Sequence, residues 1–333
     1  MKVGIIGAGR QGWRRAQAID VSRDDITFVS DIDAQAAENL AVVYRANHTV
    51  NWQDVVRDSN VDSVIVCTPP LFHAEIVTSA LENGKHVLCE KPLARNLKEA
   101  QDIFHASVSN AVKLKCGFNY RHFPAIKQAK QWCDQGVIGD LLLMRCRHGI
   151  GGRQDYDSEW RVQSSVSGGG ELIDQGSHVV DLFRWFMGEF SEVFGITETS
   201  YWDIEPVEDN AFGLLRQPNN RISSFHVSWT QWKNLFSLEI IGSKGSISVD
   251  GIGGSYGSQE VVLAGRNDAD SDMNKRIEFR GVSETWIAEW QEFSDAIKDN
   301  REPMANAKDG LEAVRLIDAL YRSSELGQPI TIN

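Results

Sequence analysis

Along the first 120 residues, short runs of β-branched and other apolar side chains alternate with longer stretches in which apolar positions recur every three or four residues. The runs predict strands near 2–6, 26–30, 48–50, 62–67, 86–89 and 113–117. The amphipathic stretches between them predict helices near 10–20, 33–45, 52–58, 72–83 and 96–109. The run Val64-Ile-Val-Cys67 has no polar interruption, as suits a strand covered by helices on both faces. Strand and helix in strict alternation is the sequence form of βαβ units, so this part is expected to be α/β, a doubly wound parallel sheet.

The texture changes after Tyr120. A helix near 123–135 is followed by strand-like segments near 140–149, 190–200, 210–216, 221–230, 235–241 and 258–264, parted by turn signals such as Pro218-Asn-Asn220 and Gly242-Ser-Lys-Gly245. Strands that follow one another without helices imply an antiparallel sheet, hence an α+β second domain. Two helices with core-facing stripes close the chain: Trp286, Trp290, Phe293 and Ile297 in one, Ala313, Leu316, Ile317, Leu320 and Tyr321 in the other. The expected division is 1–120 and 121–333, which suits a length of 333 residues.

Charge narrows the partners. The chain carries 34 basic and 46 acidic side chains, a formal net charge of −12, which repels phosphate backbones and anionic lipid. The imbalance is local: residues 1–120 hold 13 basic and 14 acidic groups, and residues 121–333 hold 21 and 32. Neither nucleic acid nor membrane is expected as a partner. The five cysteines, Cys67, Cys89, Cys116, Cys133 and Cys146, form no C-x-x-C pair and read as reduced thiols of a cytoplasmic protein. The chain enters a strand-like run at once, so no secretory signal is expected, and no apolar run nears the roughly 18 residues of a membrane span.

Gly7-Ala-Gly9-Arg10-Gln11-Gly12 follows the first predicted strand and opens the first predicted helix. In a Rossmann turn the first glycine makes the tight bend, the second lets backbone approach a pyrophosphate, and the third lets helix pack on sheet. The phosphates would rest on amides at the helix N-terminus. The next strand ends in Asp31-Ile32, about 20 residues on, where a carboxylate accepts hydrogen bonds from ribose hydroxyls. A carboxylate with no Arg or Lys beside it repels a 2′-phosphate, so NAD is expected over NADP. Thr68-Pro69 and His73 follow the strand that ends at Cys67, at the sheet edge where such folds bind ligands; a strand stop and a capped surface imidazole are equally open readings.

Glu90-Lys91-Pro92 stands at another strand end. Its lysine could polarise a substrate oxygen and its glutamate could steady the cofactor, or the two could be a solvated pair. Gly168-Gly-Gly-Glu-Leu-Ile-Asp174-Gln-Gly-Ser-His178-Val-Val-Asp181 is the most informative stretch of the second half. If it is one helix running to about Met187, Asp174 and His178 stand at i and i+4 on one face, a carboxylate beside a histidine able to take a hydroxyl proton. A purely structural pair remains open, and half a metal site is disfavoured because no His or Cys cluster supplies the other ligands, so no metal is expected.

Together with Gly117-Phe-Asn119-Tyr120-Arg121, these segments resemble the glucose-fructose oxidoreductase, inositol dehydrogenase and rhizopine-catabolism family over essentially the whole chain. The resemblance implies a Rossmann NAD-binding domain and a second domain with a large, mostly antiparallel open-faced sheet that drives homodimer or homotetramer formation. It implies Lys91, Asp174 and His178 as catalytic residues, with Glu90, Lys91 and Asn119 at the cofactor and Lys91, Tyr120, Asp174 and His178 at the substrate. Members often carry Arg where this chain has Tyr120, so the substrate contacts there would differ. The stretch from Arg147 to Arg161 adds Arg153, Trp160 and Arg161, groups suited to an anionic or sugar ligand through charge-assisted hydrogen bonds and stacking, or to a solvated loop. The expected activity is NAD-dependent oxidation of a secondary hydroxyl on a sugar, cyclitol or nucleotide sugar. The alternatives are an NAD-dependent glycoside hydrolase that works by transient oxidation and a non-catalytic NAD-sensing regulator.

Overall fold

A computed structural model describes residues 1–152, 155–266, 274–281 and 284–332. The chain packs as two compact units, one made of Met1–Asn119, Ser165–Gly168 and Glu284–Val314, the other of Tyr120–Ser164, Gly169–Ser283 and Arg315–Asn333.

In the first unit the strands are β1 (Lys2–Ile6), β2 (Asp25–Ser30), β3 (Asn47–Thr49), β4 (Ser63–Val66), β5 (His86–Cys89) and β6 (Leu114–Cys116). They lie in the order β3-β2-β1-β4-β5-β6 with every pairing parallel. Helices α1 (Arg10–Ala18), α2 (Ala34–Tyr44), α3 (Trp52–Arg57), α4 (His73–Glu82) and α5 (Leu97–Ser109) make the crossovers. The strand order reverses direction between β1 and β4, and ligands of such sheets bind outside the carboxyl ends at that point. All four residues of β4 are buried, as its uninterrupted apolar run requires.

The second unit is built on α6 (Pro124–Asp134), β7 (Leu141–Gly149), α7 (Ser164–Ser167), α8 (Glu171–Asp174) and α9 (Gly176–Met187), with α7 belonging mostly to the first unit. The strands that follow are β8 (Glu192–Glu198), β9 (Asn210–Arg216), β10 (Ile222–Ser228), β11 (Leu235–Gly242), β12 (Gly245–Asp250), β13 (Gln259–Gly265) and β14 (Lys275–Phe279). After α10 (Thr285–Lys298) and α11 (Ala307–Leu326), β15 (Ile330–Thr331) completes a nine-stranded sheet in the order β14-β13-β12-β11-β7-β10-β9-β8-β15. All its pairings are antiparallel except β7 with β10. Strands β12, β14 and β15 are short and were not resolved by periodicity.

Alternation sorts the side chains of this sheet. On β7, Met144, Cys146 and His148 are buried while Leu143, Arg145 and Arg147 are exposed on the opposite face. Helices α8 and α9 pack against β7, β9 and β10. The opposite face shows Leu143, Ile196, Phe212, Leu214 and Ile222 to solvent, an apolar surface on an otherwise acidic protein.

Helix α10 lies in the first unit. Trp290 and Phe293 join a core with Val3, Ile5, Val29, Ile65 and Leu88, so the stripe read as core-facing faces the parallel sheet, which a linear division at residue 120 does not anticipate.

Candidate active site

At the end of β1 the chain bends at Gly7, whose φ of 99° is open to glycine and strained for other residues. A Cβ on Gly12 would lie 2.0 Å from the Gly7 carbonyl oxygen, so this glycine sets how closely α1 packs on the turn. A Cβ on Gly9 would meet no described atom within 4 Å. The turn is therefore closed on the Gly7 and Gly12 side and open at Gly9. The first turn of α1 has no side-chain cap and no acidic residue, which leaves its amides suited to an anion. The Asp31 carboxylate accepts from the Ala8 amide at 2.6 Å and from the Asp33 amide at 2.9 Å, so it braces the turn from the end of β2. Ile32 beside it is exposed, as is Arg10. An open glycine, uncapped amides and a carboxylate held at the next strand end fit a dinucleotide.

Glu90, at the end of β5, is tied to this turn. Its Oε1 accepts from Gln11 Nε2 at 2.7 Å and from Arg15 Nε at 2.5 Å, and Arg15 Nη1 also binds the buried Glu289 of α10. Lys91 follows, half-buried at the same strand end. Thr68 and Pro69 are half-buried beyond β4.

Two residues expected at the cofactor make bonds within the protein. His73 is fully buried, with Nδ1 2.9 Å from the Pro92 carbonyl and Nε2 2.8 Å from the Thr68 carbonyl, and burial depresses its pKa. Its ring joins the two strand ends and has no nitrogen left for a ligand. Asn119 Nδ2 donates to Thr285 Oγ1 at 3.1 Å, so its amide anchors the start of α10.

In the second unit the Asp174–His178 stretch is not one helix. Helix α8 ends at Asp174, Gln175 is a turn, and the His178 amide bonds the Gln175 carbonyl at 3.1 Å. The Ser177 hydroxyl takes the Asp174 carbonyl at 3.0 Å. Gln175 keeps helical backbone angles, φ −94° and ψ −31°, and its amide bonds the Glu171 carbonyl at 2.9 Å, so one turn residue joins α8 to α9. The three glycines before it admit Glu208: a Cβ on Gly170 would lie 2.0 Å from the Glu208 carbonyl oxygen, and the Glu208 carboxylate receives the Gly170 and Leu172 amides and the Tyr321 hydroxyl. Asp181, at the end of the motif, is buried and grips Arg121 at 2.9 and 2.6 Å.

The His178 ring lies flat on Tyr120, with centroids 3.8 Å apart and planes 10° from parallel. The Tyr120 hydroxyl, expected to reach substrate, sits 2.8 Å from His148 Nε2 and is buried, and burial holds its pKa well above the ordinary phenol value. His148 is a residue that sequence reasoning passed over; its place on the covered face of β7 was the available signal.

The 147–161 stretch divides. Arg147 is in β7 and points to the exposed sheet face, away from His148. Trp160 and Arg161 are half-buried, the guanidinium 4.4 Å from the indole centroid, 3.1 Å from Glu159 and 3.9 Å from Asp174. Tyr156 is buried against Trp229. Arg153 lies outside the described residues. Among the described residues, no three His, Cys, Asp or Glu side chains gather as metal ligands, and no helix is long and apolar enough to cross a membrane.

Comparison with known proteins finds relatives over the whole chain. Levoglucosan dehydrogenase of Pseudarthrobacter phenanthrenivorans is 27% identical, over 97% of this chain and 96% of that protein. Myo-inositol 2-dehydrogenase of Thermotoga maritima is 27% identical, over 98% and 96%. The solved structure of levoglucosan dehydrogenase in complex with NADH and levoglucosan superposes with a TM-score of 0.91 at 26% identity, covering 100% of this chain and 99% of that one. Residues 1–118 match the model described as the oxidoreductase family, NAD-binding Rossmann fold, and residues 126–248 match the GFO/IDH/MocA C-terminal domain. With its NAD-binding turn, its open-faced sheet and both family domains in order, the chain belongs to the glucose-fructose oxidoreductase, inositol dehydrogenase and rhizopine-catabolism family of NAD-dependent oxidoreductases.

Proposed function

We propose that the protein oxidises a secondary hydroxyl of a sugar or cyclitol to the ketone, with Lys91, Asp174 and His178 as its catalytic set. The observation that carries this reading is the bond from Gln11 to Glu90: it ties the dinucleotide turn to the residue before Lys91, which supports Lys91 as a group that acts close to the cofactor. Bound NAD would supply the hydride acceptor. His178 takes the hydroxyl proton, Lys91 stabilises the oxyanion that develops as hydride leaves the same carbon, and Asp174 orients the base. The half-buried Arg161, stacked on Trp160 near Asp174, would face the sugar hydroxyls or an anionic substituent. Relatives named for levoglucosan and myo-inositol support a polyhydroxylated ring as substrate.

The exposed apolar face at Phe212 and Leu214 supports assembly into a homodimer or homotetramer, since a monomer rarely leaves so continuous a patch in water. A reducing compartment such as the cytoplasm suits the five free thiols.

The test is a panel of anhydrosugars, cyclitols, glycosides and nucleotide sugars, followed by NADH absorbance with NAD and NADP in parallel, for wild type and Lys91→Met. The expected result is NAD-dependent turnover of a ring alcohol that Lys91→Met loses by more than about 100-fold while NADH binding persists. Full turnover by Lys91→Met would overturn the assignment. Release of an aglycone without NADH would assign redox-neutral glycoside cleavage instead.

A further inference from the structure

We propose that His148 and Tyr120 are positioning residues for His178, a role that rests on His178 being the acid/base. A base that receives a proton in the transition state must hold its ring plane, and a histidine in the first turn of a helix turns about two side-chain torsions. Here the plane is set from below. Tyr120 lies against His178 at 3.8 Å between centroids and 10° between planes. The Tyr120 ring is in turn boxed edge-on by Phe123 at 5.2 Å and Phe236 at 5.9 Å. Its remaining freedom, a tilt of the ring, is removed at the hydroxyl by His148 Nε2 at 2.8 Å.

His148 is well placed to act as that anchor. It projects from the central strand β7, with its Nδ1 3.4 Å from the Leu235 carbonyl of β11 and its ring braced by Phe236 and Tyr256 at 5.6 and 5.4 Å. Its Nε2 is also 3.0 Å from Gln175 Oε1, the residue at the break between α8 and α9. One imidazole nitrogen therefore lies within hydrogen-bonding distance of both the hydroxyl of the ring beneath His178 and the side chain of Gln175, between α8 and α9. Gln175 Oε1 can only accept, so it calls for the proton on His148 Nε2, and that N–H is shared with the Tyr120 hydroxyl oxygen, which accepts it as well. The raised pKa of Tyr120 keeps it neutral through any assay range, so the stack adds no anion beside the base.

The hydroxyl of Tyr120 is consequently a structural tether and not a substrate contact. Removing it should slow the chemical step without weakening either ligand. In the full-length enzyme, with the best substrate of the panel, Tyr120→Phe keeps the stacked ring and loses the tether; His148→Leu loses the tether from the other side. Each is expected to lower kcat by between about 10-fold and 100-fold, with KM and the NADH dissociation constant within about twofold of wild type. The double variant should be no slower than the slower single one, because both cut the same bond. His148→Gln, which keeps a hydrogen-bonding group at that position, should restore part of kcat. A merely structural role would spread the loss over KM, NADH binding and melting temperature. Wild-type kcat in Tyr120→Phe, or losses that multiply in the double variant, would overturn the inference, and Tyr120→Phe decides the matter should His148→Leu not fold. His178→Ala separates the two readings: if it turns over normally, the acid/base assignment fails, whereas a dead His178→Ala beside an unaffected Tyr120→Phe defeats the positioning role alone.

Discussion

Arg15 donates from Nε to Glu90 Oε1 at 2.5 Å across a separation of 75 residues, the same oxygen that receives Gln11 of the glycine turn. The guanidinium is 1% exposed, and its Nη1 meets the fully buried Glu289 of α10. One buried cation thus ties the helix after the cofactor turn, the strand end that bears Lys91, and a helix from the far end of the chain.

Replacing that cation takes the ion-pair partner from Glu90 and leaves the buried Glu289 with only the more distant charge of Lys115. Arg15→Met is expected to cost about 3–5 kcal/mol of stability in urea unfolding and to weaken NADH binding, because Glu90 loses its anchor. Glu289→Gln, which leaves the Arg15–Glu90 pair in place, should cost less. An unchanged unfolding midpoint in Arg15→Met would show that the pair contributes nothing.

The glycines of the turn separate fold from ligand. Gly12→Ala drives a Cβ to 2.0 Å from the Gly7 oxygen and should displace α1 and lower the melting temperature. Gly9→Ala puts its methyl into open space at a φ of −70° that alanine adopts freely, so its stability should stay within about 1 kcal/mol of wild type. Its NADH affinity should nevertheless fall at least about tenfold, since the methyl occupies the approach to the pyrophosphate. Calorimetric titration with NADH beside thermal melts reads both effects.

A second buried cation gives the stability a pH dependence. Lys115, fully buried, meets Glu292 at 2.7 Å, and Glu292 also receives Arg301 at 2.6 Å and the Met304 amide at 3.0 Å. Burial alone would push the Glu292 carboxyl up, but Lys115, Arg301 and the amide together hold it below its ordinary 4.5. A carboxyl depressed in the folded state contributes stability that is complete above the unfolded value and is lost as pH falls through the folded one. Glu292→Gln should therefore melt lower than wild type at pH 7 by an amount that corresponds to about 1–3 kcal/mol, and the gap should close as pH falls below the ordinary carboxyl value of 4.5 and through the depressed folded one. A gap that stays constant with pH would refute the linkage.

The elements of the parallel sheet follow from local periodicity, because a strand buried on both faces and an amphipathic crossover helix each write their pattern into neighbouring residues. The glycine turn was legible for the same reason: φ at Gly7 and crowding at Gly12 concern residues within one short segment. The site was read less fully. Spacing put Asp174 and His178 at i and i+4 if the stretch is one helix; the structure sets a turn residue, Gln175, between α8 and α9, and its side chain meets His148, 27 residues away in sequence. His73 could be read as a ligand imidazole or a capped one, and the Thr68 and Pro92 carbonyls lie within hydrogen-bonding distance of its two nitrogens. Tyr120 was expected at the substrate through its hydroxyl or its ring, and the hydroxyl meets His148, 28 residues on in sequence.

From residue order alone came the alternation of strand and helix, the shift to consecutive strands after residue 120, and the residue types that the family's chemistry needs. These depend on backbone sterics and on which side chains prefer water, properties each short segment carries with it. Tertiary structure decided which polar atoms remain for a ligand and which are consumed by the protein. That allotment depends on partners such as Glu289, 274 residues from Arg15, because a buried donor or acceptor must be satisfied by whatever group the fold brings within hydrogen-bonding distance.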